Sequence, residues 1–152
     1  MKSTKRYGKK IDAALGMWVK LARAHATLAK LTDENIRSFG LTAPQFGALE
    51  CLGHLGPMTI GELCKKQLVS GGNMTVVVDN LAKDGLVDRI PSKDDRRAIG
   101  VHLTTKGKKL FDDIFVQHAK FVASATSVLS DREQEELAGL LKKLGTLLNK
   151  GN

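Results

Sequence analysis

Residues 70–107 read SGGNMTVVVDNLAKDGLVDRIPSKDDRRAIGVHLTTKG, and the change of period within this stretch decides the fold. Met74, Val77, Val78 and Leu81 recur at i, i+3, i+4 and i+7. That spacing gathers four apolar side chains on one face of a helix, despite the β-branched run. Gly85 is placed to close the helix, because a left-handed C-terminal residue costs glycine little. Two short runs follow, LVDRI at 86–90 and AIGVHL at 98–103, on either side of a polar turn from Pro91 to Arg97. They predict a hairpin with a long tip, after which Thr104 reopens helix.

Outward from this stretch, helix signals recur on both sides. Thr59-Ile60-Gly61-Glu62 is a capping box that predicts a short helix to about Gln67, with a turn at Val69–Gly72. Upstream, Thr42-Ala43-Pro44-Gln45 combines a capping hydroxyl with a proline in the first turn. The helix it opens turns Phe46, Leu49, Leu52 and Gly53 inward and stops at Leu55-Gly56-Pro57. Residues from about Ile11 to Ile36 read as one long amphipathic helix bearing Leu15, Trp18, Leu21, Leu28 and Leu31, broken at Ser38-Phe39-Gly40. Downstream, Leu110, Ile114, Phe115, Phe121 and Val122 carry helix towards Ser127. A third capping box, Ser130-Asp131-Arg132-Glu133, opens a last helix with Leu137, Leu140, Leu141, Leu144, Leu147 and Leu148 on one side.

The predicted class is therefore mainly α with a small β-hairpin, in the order of four helices, the hairpin and two helices. Three short helices followed by a hairpin form a winged helix-turn-helix. Here it would span 41–104, flanked by a helix in 1–40 and two in 105–152, with 1–152 a single domain.

With 152 residues, 42% of them apolar and 26% charged, the chain suits one ordinary domain with a real core. The net charge of +8 favours a polyanionic partner only if it is well placed. It is placed unevenly. Residues 1–40 carry nine basic side chains against three acids, 41–104 carry seven of each, and 105–152 carry eight against six. The winged segment is neutral overall, so the argument rests on local placement.

Cofactor and catalytic chemistry find no foothold. Cys51 and Cys64 make neither a CxxC nor a zinc spacing, and two thiols cannot build a disulfide framework. His25, His54, His102 and His118 fall on four separate elements, without HExxH, a serine elbow or GxxxxGK. No metal, no cofactor and no enzyme are expected. The basic start MKSTKRYGKK is followed by a segment broken at Lys20 and Arg23, and no run reaches the roughly 20 apolar residues of a membrane span. A reducing, cytoplasmic setting without membrane attachment fits.

The outer positions of the 73–83 helix and the residues leading into it, Ser70, Gly71, Gly72, Asn73, Thr75, Val76 and Asn80, are small or polar. Asparagine can pair with an adenine edge in the major groove, while threonine and valine can meet a thymine methyl. Glycines let a helix N-terminus come close to phosphate. A short solvated polar face after a glycine turn would look the same. The hairpin breaks the tie: Arg89, Lys93, Arg96 and Arg97 bracket its tip, and Asp95 stands two residues from Arg97, on the same side of an extended stretch. That carboxylate can hold and aim the guanidinium into a narrow minor groove. Such a helix and tip imply double-stranded DNA as partner.

SGGNMTVVVDNLAKDGLVDR followed by DDRRAIGVHLTTKG resembles the MarR family of bacterial regulators. The family's hydrophobic G-L-V exit is matched by Gly85-Leu86-Val87, its D-x-R wing by Asp95-Arg96-Arg97, and its closing L-T-x-x-G by Leu103-Thr104-Thr105-Lys106-Gly107. The resemblance implies a homodimer, paired through first and last helices, that binds palindromic promoter DNA, usually as a repressor. Many members release DNA when a small phenolic or anionic ligand, or an oxidant, acts on them. A winged helix used only for protein contact is the alternative.

An effector pocket could be bordered by Trp18, Arg23, His25 and Phe46, although His25 also fits a satisfied place in the core. Cysteine oxidation sensors of the family carry their thiol near the start of the first helix. Cys51 and Cys64 sit instead at positions that suit packing. Lys2, Lys5, Arg6, Lys9 and Lys10 form a basic arm that suits either DNA backbone or plain solvent.

The leucine stripe of the last helix is wider than a lone terminal helix needs unless a second copy covers it. Deleting residues 130–152 should leave a monomeric or poorly soluble protein with greatly weakened DNA binding. Sedimentation and a binding assay decide it: a truncated chain that is still dimeric and binds like the parent contradicts this role.

Overall fold

The computed structural model describes residues 6–67, 71–91 and 99–149. Its elements are α1 (Lys9–Ser38), α2 (Ala43–Leu55), β1 (Met58–Thr59), α3 (Ile60–Gln67), α4 (Gly71–Lys83), β2 (Val87–Pro91), β3 (Ile99–Leu103), α5 (Thr105–Thr126) and α6 (Asp131–Asn149). They fall into two compact units, Met1–His118 and Ala119–Asn152, with the boundary inside α5.

All three capping boxes form. Thr42 N donates to Gln45 Oε1 at 2.9 Å, and Gln45 N donates back to Thr42 Oγ1. Thr59 and Glu62 repeat the exchange at the start of α3, as do Ser130 and Glu133 at the start of α6. Accepting those N–H and O–H donors holds the Glu62 and Glu133 carboxyls below their ordinary pKa. Each box satisfies donors that a helix end would otherwise leave bare.

The core of the first unit lies between α2, α3, α4 and the sheet. Leu49, Leu63, Met74, Val78, Leu81 and Val101 are fully buried there, and Ile36 brings the end of α1 against them. Met74, Val78 and Leu81 keep their predicted places, while Val77 is only half-buried.

Two sequence expectations need correction. The hairpin is not alone: β1 pairs antiparallel with β3, Met58 opposite Val101 and Thr59 opposite Gly100, giving the order β1-β3-β2. A two-residue strand is too short to display the alternation by which strands are read. Gly71 and Gly72, read as the end of a turn, are instead the first residues of α4.

The base of the hairpin is clamped to the start of α5. Gly85 has φ +69°, which lets Leu86 N donate back to Leu81 O at 2.9 Å. Thr104 then joins both sides: its N donates to Leu86 O at 3.1 Å and its hydroxyl to Gly85 O at 2.7 Å. The same hydroxyl accepts from Gly107 N at 3.0 Å. Gly107 lies so close to the preceding turn that a Cβ there would stand 1.9 Å from the Leu86 carbonyl oxygen.

Gly107→Ala must therefore push α5 off the hairpin base. Overpacking of this kind costs about 1–3 kcal/mol or more, since the obstacle is backbone rather than a yielding side chain. Thermal unfolding should show a clear fall in midpoint, and a variant as stable as the parent would rule out the close approach.

Candidate nucleic-acid interface

Helix α4 has two unlike sides because most of its apolar residues hold to one arc. Opposite the buried Met74, Val78 and Leu81, the residues Gly72, Asn73, Thr75, Val76, Asn80 and Lys83 are exposed. Val76, 59% exposed, stands in the middle of this arc. An isolated surface valine needs no explanation, but between Asn73 and Asn80 on a helix held by its back it forms a mixed polar and apolar edge. Thr75 is partly committed, its hydroxyl donating to Gly71 O at 3.0 Å. A Cβ at Gly71 or Gly72 would meet nothing within 4 Å, so the start of the helix is open to an approaching backbone.

The wing divides at its base. Ser70, Lys93, Asp95, Arg96 and Arg97 lie outside the described residues. Arg89, grouped with them on sequence, does not stand free: its Nη2 is 2.6 Å from Asp79 Oδ1 on α4. Sequence spacing could not reveal a contact between a helix and a strand. Of the basic arm, Arg6, Lys9 and Lys10 are exposed, while Lys2 and Lys5 lie outside the described residues. Sequence reasoning also passed over Lys65 and Lys66, exposed in the last turn of α3.

The residues suggested for an effector pocket are not brought together within one chain. Phe46 is 3% exposed, inside the core, with its ring centroid 4.6 Å from that of His118. Trp18 is 60% exposed. From Trp18 to Ile36, where α1 meets the core, the helix rises about 27 Å at ~1.5 Å per residue. Arg23 and His25 are exposed on the same stretch, so His25 does not occupy the core place considered for it. The helical period put Trp18 and His25 on one stripe of α1 without saying how far along it the core reaches. An open groove of about 1000 Å³ lies elsewhere, among Leu52, Pro57, Ile90, His102, Lys108 and Asp112, and none of the four borders it.

Cys51 and Cys64 are half-buried against the core, and Gln67 Nε2 lies 3.3 Å from Cys51 Sγ. Among the described residues no cluster of three or more His, Cys, Asp or Glu could hold a metal ion, and no helix is long and apolar enough to cross a membrane.

His118 ties α1, α2 and α5 together. Its Nδ1 donates to Asn35 Oδ1 at 2.8 Å while its ring packs on Phe46. Burial lowers its pKa, and the Glu50 carboxylate opposes that less strongly.

Helix α4 with one side exposed, its partner helix α3 and a three-stranded sheet define a winged helix-turn-helix. The sequence pattern of the MarR family matches residues 41–99. The HTH-type transcriptional regulator MhqR of Bacillus subtilis is 34% identical, over 88% of this chain and 92% of its own. YkoM of the same organism, an uncharacterized HTH-type transcriptional regulator, is 33% identical over 89% and 88%. A crystal structure of a mutant MarR from E. coli, complexed with operator DNA, superposes with a TM-score of 0.76 at 26% identity, covering 90% of this chain and 99% of that one. The chain belongs to the MarR family: it is a transcriptional regulator, and family membership is what disposes of a catalytic role.

Because the folded state favours neutral His118, it binds fewer protons there than the unfolded chain just below about pH 6.5. Stability contributed by this site therefore rises with pH across that window and is lost on acidification. Melting curves from about pH 7.5 down to about 5.5 should fall less steeply for His118→Gln than for the parent. Equal slopes would mean that His118 is not held neutral.

Proposed function

We propose that two copies of this regulator bind a palindromic duplex operator and repress the adjoining promoter, each laying α4 in a major groove. The observation that carries the reading is the exposed arc of Asn73, Val76 and Asn80 on a helix whose other side is locked in the core. Asn73 pairs with an adenine edge near the start of the helix, Val76 meets a thymine methyl, and Asn80 reads further along. Ser70, Gly71, Gly72 and Thr75 approach the backbone, and the wing residues Lys93, Asp95, Arg96 and Arg97 reach the neighbouring minor groove. The operator complex of E. coli MarR, a protein of the same fold and 26% identical, supports duplex DNA as the partner. A protein that acts on promoter DNA works in the cytoplasm.

Dimerisation is supported by two apolar surfaces. Ile11, Leu15, Trp18, Leu28 and Leu31 are exposed on α1, and Leu137, Leu140, Leu141, Leu147 and Leu148 on α6. A soluble protein covers surfaces of that size. With Phe46 committed to the core, an effector site rests on Trp18, Arg23 and His25 of α1, completed by the second copy. The positive charge of Arg23 draws an anionic aromatic ligand to this stretch of α1 over a neutral one. By preferring another spacing of the two reading helices by a few kcal/mol, such a ligand releases DNA.

The test is binding to the protein's own upstream region as salt is varied. Asn73→Ala should relax base preference at about 1–3 kcal/mol, the worth of a lost paired contact. Arg97→Ala should weaken binding to every duplex and flatten the salt dependence by about one phosphate contact. If both variants bind like the parent, the reading edge has been misplaced. Adding a salicylate-like acid to the parent complex should release DNA, less readily with Arg23→Ala; no release at millimolar acid removes the effector site and leaves the DNA reading standing.

A further inference from the structure

Asp79 is out of character on the surface just described. It lies on α4 one turn beyond Val76 and beside Asn80, with its side chain 47% exposed. A carboxylate at the edge of a reading helix faces the phosphates of any duplex in the groove, and like charges there oppose binding. Among the described residues the ion-pair partner of Asp79 is Arg89, and Lys83, one turn further along α4, does not pair with it. Arg89 reaches it from β2, where it stands opposite Val101, and its own side chain is only 32% exposed. Arg89 is exposed as a residue, yet its guanidinium is turned back onto α4, and it stands two residues before Pro91, where the described part of the strand ends.

We infer that Arg89 serves DNA binding by masking Asp79, and not by contacting a phosphate itself. This rests on the DNA-binding reading above and refines it. The pair is neutral as a unit, so it releases few counterions when DNA arrives, unlike the arginines proposed at the wing tip. Removing Arg89 alone converts a neutral pair into a bare carboxylate at the reading edge. Removing both restores neutrality. Arg89 is thus a positioning residue that acts through Asp79, and the two substitutions should be strongly non-additive.

The experiment measures affinity of the full chain for a labelled duplex from its own upstream region, at several salt concentrations. Four proteins are compared: the parent, Arg89→Ala, Asp79→Asn and the double variant. Arg89→Ala should bind more than about tenfold more weakly at low salt, with the loss shrinking as salt screens the bared carboxylate, and the double variant should return to within about threefold of the parent. Asp79→Asn should bind at least as tightly as the parent, a readout that does not depend on how well Arg89→Ala folds. A double variant that recovers none of the affinity lost in Arg89→Ala would make Arg89 a phosphate contact and overturn the inference. So would an Arg89→Ala protein that binds like the parent, or an Asp79→Asn protein that binds about tenfold more weakly. If the parent itself binds no duplex, the function proposed above fails, and the masking role fails with it.

Discussion

The carbonyl oxygen of Leu86 is the point on which the wing depends. It accepts from Thr104 N while the first turn of α5 closes over it, leaving no room for a side chain at Gly107. That one approach orders three things in space. The end of α4 is set by Gly85 and the bond from Leu86 N back to Leu81 O. Strand β2 must start at once, because Leu86 and Val87 are already in the core. Helix α5 must start where β3 ends, since the Thr104 hydroxyl serves both sides of the junction. The reading helix, the hairpin and the long helix behind them thus share one joint made of backbone, which transmits displacement better than mobile side chains would.

Much of this was legible in the residues, and for a physical reason. Capping boxes, glycine stops and apolar periodicity are local signals, completed within a turn or two of chain. The starts of α2, α3 and α6 and the two faces of α4 therefore lie where those signals put them. What stayed hidden depends on contacts between distant segments. The Met58–Thr59 strand exists only because Val101 and Gly100 lie opposite it. The pairing of Arg89 with Asp79 joins a strand to a helix, whereas a sequence shows Arg89 only as one more cation near a basic tip. Phe46 fell into a supposed pocket with Trp18 because the residues do not show how far along α1 the core reaches, and Trp18 stands well beyond it.

Charge makes the same point. The segment 41–104 is neutral, which argues poorly for a polyanion partner if only sums are counted. In the fold, Glu62 is turned back onto the Thr59 backbone and Asp79 is paired with Arg89. These two acids are thereby occupied, while Lys65, Lys66 and Lys83 stay exposed. Surface potential follows from where the charges stand in the fold, and less from their sum over a segment.

The last step concerns leverage. Helix α1 is 30 residues long, about 45 Å at ~1.5 Å per residue, yet only its final turns meet the core, at Ile36. Asn35, next to that contact, accepts the His118 bond from α5. The remainder of α1 carries its apolar side chains into the open, where the proposed second copy would pair with them. A helix held firmly at one end and gripped by a partner along the other is a lever whose fulcrum lies near Asn35 and His118. A tilt of about 5° there moves the far end by roughly 3–4 Å over that length. The two α4 helices of the proposed dimer must stand about 34–36 Å apart to enter successive major grooves, so a partner that shifts the far end of α1 bears on that spacing. The ligand proposed above, acting on α1, would control DNA binding in this way without touching α4.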